Sequence, residues 1–232
     1  MRSQPLQEEL LSEVACRGTA GWTHERRLSV EGYRVVAGVD EVGRGCLAGP
    51  VVAGAVVLDR DLPVQGVRDS KLLAPPDRER LAREIAARAL AFALGVVDPD
   101  EIDRTDILRA TLVAMRRAVE ALRVRPDFVL VDALTIPGIA TPQRGIVHGD
   151  RLSASIAAAS IVAKFYRDEM MRFFHGLYPA YGFDRHKGYG TRDHFDALAR
   201  YGPTPLHRST FRGVRPEVAP VAPLFSTPGR VP

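Results

Sequence analysis

The sequence predicts an α/β domain with a mixed β-sheet flanked by helices. Two observations support this fold class. Several short Val-rich runs have the length and composition of buried strands. Stretches with helical periodicity alternate with the later runs, and such alternation is typical of α/β domains. The predicted strands cover residues 34–40, 50–58, 91–97 and 127–132.

The first two runs are separated by a glycine-rich turn, so we expect them to form an antiparallel hairpin. A helix is predicted over residues 76–90, because Pro75 and Pro76 favour a helix start and apolar residues then recur at helical spacing. The next helix has the clearest apolar stripe in the chain, since its apolar residues are three and four positions apart. They are Leu108, Leu112, Met115, Val119 and Leu122.

A third long helix is predicted to begin near Ser153, and its many alanines and serines would let the sheet approach it closely. From Tyr178 to about Phe211, helix and turn signals alternate with basic residues, which indicates a small helical C-terminal lobe (about 178–213).

The two ends of the chain differ from this central part. Residues 1–32 are expected to be an N-terminal extension with one short amphipathic helix, formed around Leu6, Leu10, Leu11 and Val14. Residues 214–232 contain repeated prolines and are expected to form a disordered tail. The predicted catalytic domain is therefore residues 33–213.

Composition narrows the functional classes. No apolar stretch has the length of a membrane span, and the acidic residues near the N-terminus do not suit a signal peptide. Two cysteines form neither a disulfide framework nor a zinc-ligand pattern, so we expect a cytoplasmic protein. The net charge of +4 and basic segment 183–194 favour a polyanionic partner. Nothing in the sequence indicates more than a monomer.

Four carboxylates interrupt or directly follow apolar runs of the sequence, and two of them, Asp40 and Asp132, end predicted strands. Asp40 and Glu41 interrupt an apolar run, Asp132 ends another, and Asp150 follows a third. Carboxylates that converge at strand ends need a counter-ion, and an all-oxygen set without His or Cys selects Mg²⁺ or Mn²⁺. Each acid alone could instead be a turn residue or a helix cap. Moreover, Asp40 and Glu41 would point to opposite faces of a regular strand.

Six segments together resemble bacterial ribonuclease HII. They are "GVDEVGRGCLAGPVVAGAVVL", "DSK", "VLVDAL", "GDRLSASIAAASIVAKFYRD", "YGFDRHKGYGT" and "GPTPLHRSTF". They occur in that family's order and span about residues 33–213. The resemblance implies a ribonuclease H-like fold and metal-dependent cleavage of RNA–DNA hybrids. It also implies cleavage 5′ to single ribonucleotides embedded in duplex DNA, which would initiate ribonucleotide removal and leave 5′-phosphate and 3′-hydroxyl ends.

The resemblance also implies roles for individual residues. It implies that Asp40, Glu41, Asp132 and Asp150 are the catalytic acids that hold two Mn²⁺ or Mg²⁺ ions. It also implies three kinds of substrate contact. Gly43, Arg44 and Gly45 would form the turn that reads the 2′-hydroxyl, and Tyr189 would stack at the RNA–DNA junction. The cations that would meet phosphates are Lys71, Lys164, Arg167 and Arg208.

Two alternatives remain open from the sequence. The chain could be a ribonuclease H-like nuclease with another substrate preference, or a non-catalytic module that binds duplexes. Cys46 stands where the family pattern leads us to expect proline, and we interpret it as a packing residue. Four histidines lack ligand spacing and are expected in structural or phosphate-side roles: His148, His186, His194 and His207.

Overall fold

The computed structural model describes residues 20–214 of the 232-residue chain. The strands of its sheet are β1 (Val36–Val42), β2 (Val51–Val57), β3 (Ala91–Val97), β4 (Phe128–Asp132) and β5 (Gln143–Ile146). The helices are α1 (Thr23–Val30), α2 (Pro75–Arg88), α3 (Pro99–Arg104), α4 (Ile107–Glu120), α5 (Gly149–Leu152), α6 (Ala154–Leu177), α7 (Phe183–His186) and α8 (Arg192–Tyr201). None of these helices combines the length and the hydropathy that crossing a bilayer requires.

The strands lie in the order β3-β2-β1-β4-β5, with β1 in the middle. β1 pairs antiparallel with β2, which confirms the predicted hairpin, and parallel with β4. β3 is antiparallel to β2, and β5 is parallel to β4, so the sheet is mixed as predicted. β5 was not predicted as a strand, because it is a four-residue edge strand whose middle residues are exposed and which lacks a Val-rich run.

Helix α6 covers one face of the sheet at very short range. A Cβ on Gly38 of β1 would lie 2.0 Å from the main-chain carbon of Ser155, so only glycine fits there. Much of the α6 sequence that faces the sheet consists of alanine and serine, and its first two turns are fully buried. The predicted close approach of this helix is therefore confirmed.

Helix α4 covers the other face, and its buried side differs from the predicted stripe. Met115 and Val119 are buried, but Leu108 is exposed and the contact centres on Ala110, Ala114 and Ala118. The reason is again a close approach, since a Cβ on Gly95 of β3 would lie 1.9 Å from the carbonyl oxygen of Ala114. Small side chains therefore define this interface, while the larger ones lie at its edge.

Residues 20–32, which the sequence assigned to the N-terminal extension, include a helix that joins the core. Leu28 of α1 is fully buried in a cluster with residues of β1, β4 and α6. Glu25 accepts hydrogen bonds from the Ser153 hydroxyl (2.6 Å) and the Ser155 main-chain N–H (2.9 Å) at the start of α6. The helix predicted around Leu6 to Val14 and the tail after residue 214 lie outside the described residues.

The C-terminal lobe is helical, as predicted. It contains α7, α8 and a short 3₁₀ turn at Pro179–Tyr181, and its small core packs against the loop between β1 and β2. Leu47 and Ala48 of that loop both donate main-chain hydrogen bonds to the Gly188 carbonyl. The lobe is thereby joined directly to the loop that carries the glycine-rich turn.

Candidate active site

Asp40 and Asp132 lie side by side near the carboxyl ends of two parallel strands. Val39 pairs with Val131 in the β1–β4 register, so the next residue on each strand is one of the two acids. Both side chains face α6, because residues two apart on a strand share a face and Gly38 contacts Ser155. Ligand-binding crevices form at such strand ends in α/β sheets.

Asp40 is the most strongly perturbed of the four acids. The residue is 5% exposed, and its Oδ1 accepts a hydrogen bond from the Glu41 main-chain N–H at 2.7 Å. Burial raises the pKa of Asp40 well above its usual value, and the nearby charges of Glu41 and Asp132 raise it further. The Ser160 hydroxyl of α6 opposes this rise by hydrogen bonding to the Asp40 carboxylate.

Asp150 belongs to α5, which is separated from β5 by two residues, and it lies close enough to Asp132 for the charge of Asp132 to affect it. The Gly149 main-chain N–H donates to Asp132 Oδ1 at 2.7 Å, which holds the start of α5 against the end of β4. Asp150 is 5% exposed. Burial raises its pKa, and the charges of Asp69 and Asp132 add to the rise.

Glu41 occupies a different position from the other three acids. β1 continues as a strand to Val42, so the Glu41 side chain points to the face opposite Asp40. Its Oε1 lies 3.2 Å from Arg44 Nη1. Burial raises the pKa of Glu41 despite this cation, and the charge of Asp132 contributes to the rise. The side chains of Asp40 and Glu41 therefore lie on opposite faces of β1, as expected for adjacent residues of a regular strand.

The chemistry of these donors suits hard divalent cations. Carboxylate oxygens without His or Cys ligands are typical of Mg²⁺ and Mn²⁺ sites. Within residues 20–214, however, no three His, Cys, Asp or Glu side chains stand in an arrangement that would already hold an ion. The four carboxylates make contacts with protein donors instead. The raised pKa of three of them reflects burial and crowding of like charge that a cation would relieve.

The glycine-rich turn lies directly after β1. Gly43 has φ +93°, and a Cβ there would lie 2.2 Å from Arg167 Nε, so the position requires glycine. Gly45 is exposed, and a Cβ added to it would meet no atom within 4 Å. The outer side of this turn is therefore open to close approach by another molecule.

Tyr189 lies next to this turn. It forms an antiparallel main-chain bridge with Cys46, and its residue is 42% exposed. Partial burial raises the pKa of the Tyr189 hydroxyl, and the neighbouring Cys46 thiol adds to the rise. Cys46 itself is fully buried, which confirms its interpretation as a packing residue.

The predicted phosphate-binding cations differ in accessibility. The Lys71 side chain is 78% exposed, with Nζ 3.9 Å from Asp150 Oδ2, and its predicted phosphate contact stays a prediction. Lys164 is largely buried and pairs with Asp168 at 2.6 Å, so that bond would compete with any phosphate. Asp168 is thus the ion-pair partner of Lys164.

Arg167 and Arg208 do not fit the phosphate contacts predicted for them. Both residues are fully buried, and their guanidinium groups donate to main-chain carbonyls. A donor that is buried and already bonded cannot reach a phosphate without breaking this packing. These two residues support the site from beneath.

Sequence reasoning did not identify two groups that contact the site. One is Ser160, which hydrogen-bonds Asp40 and lies 2.9 Å from the Ser70 hydroxyl of the "DSK" segment. The long-range contact between these serines leaves no local sequence signal. The other is the histidine cluster of the lobe: His186, His194 and His207 were named individually, but they are 8 and 13 positions apart without ligand spacing, so their mutual contact was not predicted.

Hydrogen bonds fix the tautomers of this cluster. The Thr204 main-chain N–H donates to His207 Nδ1, so His207 donates from Nε2 to His194 Nε2 at 3.0 Å. His194 then donates from Nδ1 to the Tyr189 carbonyl at 2.9 Å. The His186 ring stacks on that of His194. His194 and His207 are buried and therefore structural, whereas His148 is exposed.

Comparison with known proteins gives a consistent result. The family model for Ribonuclease HII matches residues 37–214. A ribonuclease HII of Nitrosococcus oceani is 57% identical over 187 residues, covering 81% of this chain and 92% of the relative. One from Desulfitobacterium hafniense is 50% identical over 194 residues, covering 84% and 75%. The crystal structure of ribonuclease H2 from Pyrococcus horikoshii matches with TM-score 0.66 and 28% identity, covering 78% of this chain and 95% of that one.

Proposed function

Because the chain belongs to the ribonuclease HII family, a group of type 2 ribonuclease H hydrolases, we propose that it cleaves 5′ to single ribonucleotides embedded in duplex DNA. The same site would cut the RNA strand of RNA–DNA hybrids. The observation that carries this proposal is the position of the exposed glycine-rich turn, which directly follows the strand that supplies Asp40 and Glu41. The turn that would recognise the sugar thus lies next to the carboxylates that would carry out hydrolysis.

The carboxylates would hold divalent ions in this proposal. Asp40 and Asp132 would supply carboxylates from neighbouring strand ends and Asp150 one from α5, and Glu41 would contribute its carboxylate or its main-chain oxygen. The proximity of Asp132 to both Asp40 and Asp150, whose pKa values it raises, supports this assignment. Bound there, two Mg²⁺ or Mn²⁺ ions would activate a water and stabilise charge on the leaving oxygen. Burial keeps the carboxylates in a low-dielectric setting, where their attraction for cations is strong. Cleavage would leave a 3′-hydroxyl and a 5′-phosphate.

The chain's own groups would supply the selectivity. The turn from Gly43 to Gly45 has no side chain at its exposed end, so its main chain can approach a sugar closely and hydrogen-bond the 2′-hydroxyl. That hydroxyl distinguishes RNA from DNA. Tyr189, next to the turn, offers an exposed ring that can stack on the neighbouring sugar. Such positioning places the correct phosphate in the crevice before any chemistry occurs.

The decisive experiment uses one labelled DNA duplex with a single ribonucleotide and the identical duplex with none. We expect a single cut on the 5′ side of the ribonucleotide in Mn²⁺ or Mg²⁺, no cut with chelator, and none in the all-DNA duplex. Asp40→Asn should abolish the cut while retaining most duplex affinity. Equal cutting of both duplexes would indicate a nuclease of another preference. Binding without cutting under any divalent ion would indicate a duplex-binding module.

A further inference from the structure

Two buried arginines lie beneath the glycine-rich turn. Arg208 donates from Nη1 to the Arg44 carbonyl (2.8 Å), from Nη2 to those of Gly43 (2.7 Å) and Gly49 (2.9 Å), and from Nε to Gly49 again (3.1 Å). Arg167 donates from Nε to Pro50 (2.9 Å), from Nη2 to Ala48 (3.3 Å) and from Nη1 to Lys187 (3.0 Å). With the exception of Lys187, all these acceptors lie within residues 43–50.

The two guanidinium groups are charged and buried without an ion-pair partner in the described part of the chain. Burial lowers the pKa of Arg208 to about 10, so the group remains protonated at neutral pH. Removing an unpaired charge from water is unfavourable by several kcal/mol. Apolar side chains would pack this space without that penalty, so the arginines provide something that packing alone does not.

Their hydrogen bonds fix the direction of two peptide groups. The carbonyls of Gly43 and Arg44 point inward to Arg208. None of the peptide bonds in residues 20–214 is cis, and in a trans peptide the N–H points opposite to the C=O. The main-chain N–H groups of Arg44 and Gly45 therefore point away from Arg208, toward the exposed side of the turn. Two successive N–H groups with this orientation can donate to a hydroxyl or an anion.

The same arginines connect the turn to the tyrosine. Arg208 belongs to the C-terminal lobe, and its main-chain N–H donates to the Leu47 carbonyl of the loop. Arg167 belongs to α6, yet it bonds the loop at Ala48 and the lobe at Lys187, two residues before Tyr189. The turn and Tyr189 are thus held as one rigid unit by donors from beneath.

We propose that Arg208 and Arg167 are positioning residues that preset the outward N–H groups of the turn and their distance from Tyr189, and thereby determine the preference for a ribonucleotide. This inference rests on the proposed function, because it assumes that the turn reads the sugar. Neither arginine touches the substrate. A lysine at either position keeps the charge, but its donors all lie on one nitrogen, whereas the guanidinium distributes its donors over three nitrogens in a rigid plane. A lysine therefore cannot reproduce the three bond directions that Nε, Nη1 and Nη2 provide.

The test measures binding rather than turnover. Fluorescence anisotropy in EDTA gives dissociation constants for an all-DNA duplex and for the same duplex with one ribonucleotide. Their ratio is the ribonucleotide preference, and it does not change if part of a preparation is inactive. Arg208→Lys should reduce this preference about tenfold, the scale of one lost hydrogen bond to a hydroxyl group, and leave the all-DNA constant unchanged. Arg167→Lys should reduce it in the same direction and serves as the second variant if Arg208→Lys does not fold.

Arg123→Lys is the matched control. Arg123 also donates to a main-chain carbonyl, that of Leu90, which precedes β3 at the end of the sheet opposite the acids. The ribonucleotide preference of Arg123→Lys should equal that of the wild type. A folded Arg208→Lys or Arg167→Lys that retains the full preference would overturn the positioning role while leaving the proposed function intact. A wild type without any preference would instead overturn the reading of the sugar by the turn, and this inference with it.

Discussion

The molecule buries charge in two neighbouring regions, and it does so in opposite ways. In the acidic crevice, Asp40, Asp132 and Asp150 crowd together, and like charge contributes to the raised pKa of Asp40 and Asp150. Beneath the turn, Arg167 and Arg208 are buried more deeply, yet all their nitrogens donate to carbonyls. The carboxylates of the first region repel one another, whereas every guanidinium nitrogen of the second has a hydrogen-bond acceptor.

This difference indicates which region responds to a ligand. A cation that enters a crevice with raised carboxylate pKa values stabilises it, because the cation offsets both the desolvation of the carboxylates and their mutual repulsion. The hydrogen-bonded arginines beneath the turn are not stabilised by a cation, and they hold the turn in place before substrate binds. Chemistry is therefore expected to depend on added ions at the crevice, and recognition on geometry that is already present at the turn.

The largest effect is expected from Asp132→Asn, which breaks the acidic region at its centre. The charge of Asp132 raises the pKa of Asp40, Glu41 and Asp150, so its removal relieves all three. Cleavage should fall by about 10³-fold or more, because a ligand for the ions is lost. Unfolding in metal-free buffer should become less favourable by on the order of 1 kcal/mol, since repulsion is removed.

The matched control for this variant is Asp127→Asn, at the other end of the same strand. Asp127 accepts hydrogen bonds from the main-chain N–H groups of Arg34 (2.7 Å) and Val35 (3.0 Å). Its substitution should retain cleavage and lower stability by about 1 kcal/mol, the opposite pattern. If Asp132→Asn destabilised the metal-free protein as Asp127→Asn does, the view of the crevice as mutually repulsive would be wrong.

The second prediction concerns thermal unfolding with added Mn²⁺. Ions that bind only the folded crevice should raise Tm by roughly 5 to 10 °C at about one hundred times the dissociation constant. Calorimetry measures this change in Tm for the wild type and for Asp132→Asn. Choline chloride at matched ionic strength is the control. The shift should nearly vanish in the variant. An undiminished shift would show that the stabilising ions bind outside the crevice.

These two regions also differ in how far the sequence predicted them. The acids could be identified because carboxylates that interrupt apolar runs are conspicuous in a chain, and a strand end places them without tertiary information. The arginines could not be assigned in the same way. Arg208 contacts Gly43 across 165 positions, and only the folded lobe buries it, so the motif alone led to the wrong expectation of a phosphate contact.

The fold shows the same limit. Val-rich runs predicted the four longer strands, whereas β5 is an edge strand with exposed middle residues and no such run. The stripe of α4 predicted a helix correctly but placed Leu108 on its buried face, because periodicity reports where large apolar residues are and not how closely Gly95 lets the helix approach. The link from Ser70 through Ser160 to Asp40 likewise depends on tertiary contacts alone.

The third prediction concerns acid and the lobe. Burial lowers the pKa of His207 to about 4, and the charge that His194 would carry lowers it as well. In the unfolded chain the His207 imidazole therefore binds a proton near pH 6.5, whereas in the folded chain it does so only near pH 4. This histidine should remove on the order of 3 kcal/mol of stability as the pH falls through that window. The carboxylates with raised pKa values work in the opposite direction, since their protonation relieves repulsion.

The contribution of His207 can be isolated with His207→Asn, whose amide oxygen can still accept from the Thr204 N–H. Denaturant unfolding at pH 7 and pH 5 should show a smaller acid-induced loss in this variant than in the wild type. Equal losses in the two proteins would mean that the acid sensitivity arises elsewhere.

The smallest effect is expected from Lys71→Gln at the exposed rim of the acidic region. Lys71 is mostly solvated and lies 3.9 Å from Asp150, so it contributes little to stability, and its freedom suits a phosphate contact. Duplex binding should weaken only a few-fold, and the slope of log affinity against log salt should decrease by about 1. Arg88→Gln, on α2 at the opposite end of the sheet, should leave both quantities unchanged. If the slope were unaltered in Lys71→Gln, Lys71 would not contact a phosphate of the duplex. Its positive charge would then act only on the neighbouring carboxylate of Asp150.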